Sequence, residues 1–248
     1  MEVIGIIPAR YASTRFEGKV LANILGKPMI QHVWERAKGS KLLDDLIIAC
    51  DDERVKKIAE EFGSKVVFTS KDHDSGTDRL TEIVQPMEVK VVINIQADEP
   101  LIHFTMIDDL ARAVLEDPSI VMATLIKKID NKDEIDNPNI VKVVIDKDNF
   151  ALYFSRAAIP YQRQEDAQGD YYKHIGIYAY TKDFLFTFKN LPESSLENTE
   201  KLEQLRALEA GFRIKTVQTD YETFGVDTLE DLEVVKRRLS KDSKIVLK

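Results

Sequence analysis

Through the first half of the chain, short apolar runs alternate with segments whose apolar residues recur at helical spacing. Residues 3–7, 46–50, 65–68 and 89–95 read as strands, the last being the most hydrophobic. Between them Ile30, Val33, Trp34 and Ala37 stripe one helix, with Pro28 at its start. Val55, Ile58, Ala59 and Phe62 stripe a second, ended by Gly63; Leu80, Ile83 and Val84 stripe a third, closed by Pro86; residues 107–115 make a fourth. This strand–helix alternation predicts an α/β fold with a mainly parallel sheet, covered by helices on both faces.

After residue 120 the pattern is less regular. Residues 120–129, 141–145, 150–154 and 171–180 read as strands, with an Asn-Pro-Asn turn at 137–139 and a polar loop at 162–170. Helices follow at 200–210, ended by Gly211, and at 229–239. The expectation is one α/β domain over residues 1–240, whose strands beyond about residue 120 form a small extension suited to a dimer, and a loosely held tail at 241–248.

Composition narrows the function classes. With 35 basic against 43 acidic residues, the net charge of −8 argues against broad nucleic-acid binding, which needs a basic face, but leaves room for a small basic pocket. The single cysteine, Cys50, excludes an intrachain disulfide and sits in an apolar run as a small buried hydrophobe. No apolar run approaches the ~20 residues that span a bilayer, and the first residues lack a basic leader pattern. A cytoplasmic protein with no membrane partner is expected.

Three segments carry candidate chemistry. The loop I-I-P-A-R-Y-A-S-T-R-F-E-G-K at 6–19 leaves the first strand at its carboxyl end, where open α/β sheets bind ligands. Its small residues Ala9, Ala12, Ser13 and Gly18 let a ligand approach, and Arg10, Arg15 and Lys19 suit phosphate oxygens. On charge spacing alone, a solvated basic loop fits equally well. Neither a G-x-G-x-x-G after the strand nor a Walker Ser/Thr after Gly26-Lys27 is present. The second segment, Q-A-D-E-P at 96–100, puts Asp98 at the end of the strand over 89–95, as a magnesium ligand or as part of a turn before Pro100. In the third, G-V-D-T-L-E-D-L at 225–232, Thr228 and Asp231 have capping-box spacing, so Asp227 either favours the helix start or reaches a metal. Arg156, Arg163, His174, Tyr178, Glu203 and Gln204 form a scattered fourth set, in which His174 and Tyr178 share one face of a strand.

Taken together, the chain resembles the 3-deoxy-manno-octulosonate (KDO) cytidylyltransferases, the CMP-KDO synthetases. The likeness runs in order through I-I-P-A-R-Y-A-S-T-R at 6–15, G-K-P-M-I at 26–30, H-D-S-G-T-D-R-L at 73–80 and D-E-P-L-I at 98–102. It continues in P-N-I-V-K-V-V at 138–144, A-L-Y-F-S-R at 151–156, I-P-Y at 159–161, H-I-G-I-Y at 174–178, L-E-Q-L-R at 202–206 and G-V-D-T at 225–228. The chain departs from the family pattern at Phe16, Glu17, Val20, Cys50, Ala97 and Leu229.

The resemblance implies a three-layer, mixed and mainly parallel sheet of the nucleotide-diphospho-sugar transferase type, usually in a homodimer. It implies transfer of CMP from CTP to KDO, giving CMP-KDO and pyrophosphate for lipopolysaccharide synthesis. A related acidic sugar such as 8-amino-KDO is the alternative substrate, and a non-catalytic nucleotide-binding protein is a remoter one. By the same likeness Ala9, Arg10, Arg15, Lys19, Ser75, Gly76, Thr77, Arg79 and Gln96 lie around the nucleotide, and Asp98 and Asp227 hold Mg2+. Arg10, Lys19, Asp98 and Asp227 form the catalytic set. Arg156, Arg163, His174, Tyr178, Glu203 and Gln204 take the sugar, within a part spanning about 120–220 that also carries dimerisation.

Overall fold

The almost unbroken apolar run VIGIIPA forms β1 (Val3–Ala9), in which Val3, Ile4, Ile6 and Ile7 are all buried, as expected for a strand covered on both faces. A computed structural model describes residues 1–12, 16–73, 76–164 and 169–245; Arg15 and Ser75 of the expected nucleotide set lie outside them. The chain divides into two units, Met1–Asp108 with Glu222–Lys248, and Asp109–Tyr221.

In the first unit, a tight hairpin of β2 (Asn23–Ile24) and β3 (Lys27–Pro28) leads into α1 (Met29–Ala37), which buries Met29, Ile30, Val33, Trp34 and Ala37 on one face. Then come β4 (Asp45–Cys50), α2 (Glu53–Glu61), β5 (Lys65–Phe68), α3 (Gly76–Val84) and β6 (Val91–Asn94), and α4 (Phe104–Glu116) leads out of the unit. Asp52 caps α2 by accepting from the Arg54 amide, satisfying one of the donors a helix start leaves open. Strands β6, β1, β4 and β5 lie in that order and all pair in parallel. The chain therefore runs outward from β1 to β4 and β5, then returns to β6 on the other side of β1. That reversal makes the carboxyl ends of β1 and β6 a topological switch point, the usual ligand crevice of such sheets.

The second unit is mixed. Strands β7 (Met122–Lys128), β8 (Lys142–Ile145), β9 (Ala151–Ser155) and β10 (Tyr172–Thr181) precede α5 (Lys182–Asn190), α6 (Ser195–Glu200), α7 (Leu205–Glu209) and β11 (Lys215–Gln218). β10 runs antiparallel to β7 and β8, β9 antiparallel to β8, and β11 parallel to β7. The pairing of β10 with β7 shifts register between Ile175 and Tyr178. Finally α8 (Leu229–Ile245), in the first unit, packs Leu232, Val235 and Leu239 with Ile24, Met29 and Val226.

Several elements differ from the sequence expectation. The helix expected over 200–210 is two short helices, because Lys201 adopts a left-handed conformation (φ 54°) and ends α6. A capping box between Ser194 and Glu197 starts α6 at Ser195, ahead of the residue 200 that the apolar stripe implied. Neither α5 nor β11 is visible in the reading of the periodicity. α8 runs on to Ile245, beyond the 229–239 expected for the last helix.

Candidate active site

The loop after β1 is shaped before any ligand is considered. The Gly18 amide donates to the Tyr11 carbonyl at 2.9 Å, closing the loop on itself. Gly18 has φ 66°, and a Cβ there would stand 3.0 Å from the Tyr11 ring, so the glycine serves this turn rather than ligand access. Lys19 follows at the start of a short 3-10 turn and points inward.

Its ammonium meets three oxygens: Asp98 Oδ2 at 2.7 Å, Asp227 Oδ1 at 2.9 Å and the Val226 carbonyl at 2.9 Å. Burial works against the charge on Lys19, but Asp98 and Asp227 outweigh it and raise its pKa. The Val226 amide donates to the Asp98 carbonyl at 2.9 Å, locking the two acidic segments together through the backbone. Asp231 accepts from the amides of Asp227 and Thr228, and its own amide donates to the Thr228 hydroxyl; the expected capping box is formed. Asp227 is therefore both part of a helix start and turned toward Asp98.

A cavity of about 420 Å3 opens at this point, lined by Pro8, Arg10, Ala12, Lys19, Val20, Gly76, Gln96, Ala97, Asp98 and Asp227. Arg10 donates to the His73 carbonyl, which holds it near the start of α3. Ala9 is wholly buried at the end of β1. Thr77 is buried, and so is Arg79, whose guanidinium donates to Asp51 Oδ2 at 2.7 Å and to the Thr69 hydroxyl. Arg79 thus ties together the segments that follow β4 and β5 and is not among the residues lining the cavity.

The adjacent acids Asp98 and Glu99 part company. Asp98 faces the cavity, whereas Glu99 is half-buried with its carboxyl turned inward, and desolvation of that carboxyl together with the charge of Asp98 pushes its pKa up to about 8. A Cβ on Gly225 would come within 3.2 Å of Glu99 Oε1, so the bare glycine admits this inward carboxyl.

The donor set fits a hard divalent cation. Two carboxylate oxygens and a carbonyl already converge on one positive point, and magnesium is usually held by one or two carboxylates, with phosphates and water completing its shell. Among the described residues no group of three or more His, Cys, Asp or Glu side chains is placed to hold a metal ion.

In the second unit, the His174 and Tyr178 rings lie 5.4 Å apart despite the register shift, and Glu203 faces Tyr178 closely enough to reinforce its raised pKa, which comes first from burial. Burial pushes the His174 pKa down to about 3, and His174 Nε2 lies 3.0 Å from the Thr124 hydroxyl. Gln204 is buried beside Glu203 with its Nε2 unpartnered. Arg156 donates from Nε to the Glu200 carbonyl at 2.8 Å and from Nη1 to the Pro138 carbonyl at 2.9 Å. Arg163 lines a different cavity, of about 360 Å3, with Tyr161 and Tyr171. Thr124 and Glu200, which hold the His174 and Arg156 side chains, and Lys142, which holds the Arg156 carbonyl, carried no chemical signal in the sequence because each acts through backbone or a neighbour.

The cytidylyltransferase family profile matches residues 4–216. A 3-deoxy-manno-octulosonate cytidylyltransferase from Solibacter usitatus (strain Ellin6076) is 50% identical over 95% of this chain and 94% of its own. The chain belongs to the 3-deoxy-manno-octulosonate cytidylyltransferase family. The relative of the same name from Geotalea uraniireducens (strain Rf4) is 47% identical over 97% of this chain and all of its own length. A solved structure of CMP:2-keto-3-deoxy-manno-octonic acid synthetase complexed with CTP is 43% identical, covers 98% of this chain and 100% of its own, and superposes with a TM-score of 0.93. That likeness carries the α/β fold of the nucleotidyltransferases across both units. No helix among the described residues is long and apolar enough to cross a membrane.

Proposed function

We propose that this protein transfers CMP from CTP to KDO, giving CMP-KDO and pyrophosphate. The observation that carries the reading is the convergence of Asp98, Asp227 and Lys19 at the switch point of the first sheet, in a cavity that Arg10 and Gln96 also line. The family's name, and the CTP held by a solved relative 43% identical, support CTP and KDO as the substrates.

Arg10 and Lys19 would contact the triphosphate and offset charge gathering on the departing pyrophosphate. Asp98 and Asp227 would hold a magnesium ion, whose charge neutralises phosphate oxygens and acidifies the attacking sugar hydroxyl. The main work of the remaining residues is alignment, since transfer at phosphorus needs positioning and charge neutralisation more than covalent help. His174, kept neutral by burial, and Tyr178 would give the sugar hydrogen-bonding partners without adding charge. Arg156 and Arg163 would meet the sugar carboxylate. Further parts of the reading are a cytoplasmic homodimer and a product consumed in lipopolysaccharide assembly.

The deciding experiment is pyrophosphate release with CTP, magnesium and either KDO or 8-amino-KDO. Turnover with KDO at the higher kcat/KM is expected; a preference for 8-amino-KDO changes the substrate, and no release with either overturns the reading. Light scattering behind size exclusion checks the dimer.

A further inference from the structure

The motif P-N-I-V-K-V-V contains one charged residue, Lys142, and its side chain is completely buried. Its ammonium donates to three backbone carbonyls: Ile140 at 2.6 Å, Arg156 at 2.6 Å and Asn137 at 2.8 Å. An ammonium has three donors, and all three are used. By contrast Lys173 and Lys127, in the same unit, have carboxylates close by, Glu134 at 2.8 Å from Lys173 and Asp130 at 3.9 Å from Lys127. Lys142 is held by carbonyl dipoles instead. Burial, with the nearby Arg156 charge as a lesser opponent, lowers its pKa; Asp136 and Glu200 act the other way. Keeping a charged side chain here is costly, and an apolar residue would fit a strand interior more readily.

The carbonyls identify what this cost secures. Two belong to the 137–140 turn, which also holds itself through the Asn139 and Ile140 amides donating to Asn137. The third belongs to Arg156, just beyond β9, where β8 and β9 pair Lys142 with Ser155. The Arg156 guanidinium in turn donates to Pro138 in the same turn. Turn and arginine are thus joined twice, once through Lys142 and once through Arg156 itself. From the other side Glu200 accepts from the Ser155 hydroxyl at 2.6 Å and from the Arg156 amide at 3.0 Å.

We propose that Lys142 is a positioning residue of the sugar subsite: its ammonium clamps the 137–140 turn to the Arg156 backbone and so fixes the direction of the Arg156 guanidinium. This rests on the reading of Arg156 as a partner of the sugar carboxylate. A methionine at 142 would fill the space and leave three carbonyls unanswered. An arginine would keep the charge, but its planar fork does not match three carbonyls gathered about one nitrogen.

The test compares Lys142→Met and Lys142→Arg with wild type, varying CTP and sugar separately. KM for the sugar is expected to rise roughly tenfold in Lys142→Met and less in Lys142→Arg, with KM for CTP changing less than about twofold. Equal changes in both, or an unchanged sugar KM in folded protein, overturn the proposal. Should Lys142→Met fail to fold, Lys142→Arg and Glu200→Gln loosen the same clamp, and the same split is required of them. Amide hydrogen exchange reads the clamp with no substrate: Asn139, Ile140 and Arg156 lose protection in Lys142→Arg if it holds them, and keep it if it does not. Wild-type turnover with KDO is measured first and judges the proposed function alone.

Discussion

Lys19 and Asp98 illustrate what a single residue contributes here. The ammonium holds two carboxylates within about 3 Å of itself, a pairing that sequence separations of 79 and 208 residues conceal. Asp98→Asn keeps the size of the side chain and an acceptor oxygen but removes the charge; kcat is expected to fall by roughly three orders of magnitude with an unchanged circular dichroism spectrum. Near-normal turnover would remove Asp98 from the catalytic set. His174 gives a prediction about stability. Its pKa lies near 3 when folded, against about 6.5 in the unfolded chain, so the unfolded state binds the extra proton in between. Stability is therefore unaffected above pH 6.5 and falls by about 1.4 kcal/mol per pH unit between 6.5 and about 3. In His174→Gln, the acid limb of a plot of Tm against pH should be shallower; an identical slope would mean the imidazole titrates normally.

At the scale of elements, strands and helices of the first unit were legible because each has one dominant periodicity: β1 is a continuous apolar run and α1 a clean stripe. The second unit was less so. In α5 the residues Phe184, Phe186 and Phe188 alternate as a strand would, and helix formation is decided instead by Thr181 capping the Phe184 amide and by burial of Phe184, Leu185 and Phe188. The break after α6 depends on a left-handed Lys201, for which lysine gives no warning. The capping box at α8 was legible, and its consequence for the site was not: Asp231 restrains the amides of Asp227 and Thr228 while Val226 is tied to Asp98. Asp231→Ala should cost about 1 kcal/mol, a Tm loss of roughly 2–4 °C. It should also raise the magnesium concentration needed for half-maximal rate, since Asp227 loses its fixed direction. A Tm loss with unchanged magnesium dependence would confine the box to helix stability.

For the whole molecule, the net charge of −8 and the basic loop pose a question that composition could not answer. Among the described residues lining the cavity, Arg10 and Lys19 face Asp98 and Asp227, two positive charges against two negative. Glu99, with its pKa near 8, adds little negative charge at pH 7. The cavity is thus close to neutral within a chain that is negative overall, and exposed lysines and arginines beyond about 8 Å are screened at physiological salt. A bare triphosphate carries several negative charges and gains little from such a balance. Two carboxylates arranged around a cation, however, favour a nucleotide that arrives with a divalent ion. Calorimetric titration with CTP should therefore give a Kd at least about tenfold lower with magnesium than with EDTA, a difference of about 1.4 kcal/mol. In Asp98→Asn the removal of one negative charge should reverse part of that preference: CTP alone binds more tightly than to wild type, and magnesium adds less. Equal affinities for wild type with and without magnesium would mean that Arg10 and Lys19 hold the triphosphate unaided, and that the two aspartates serve Lys19 rather than a metal.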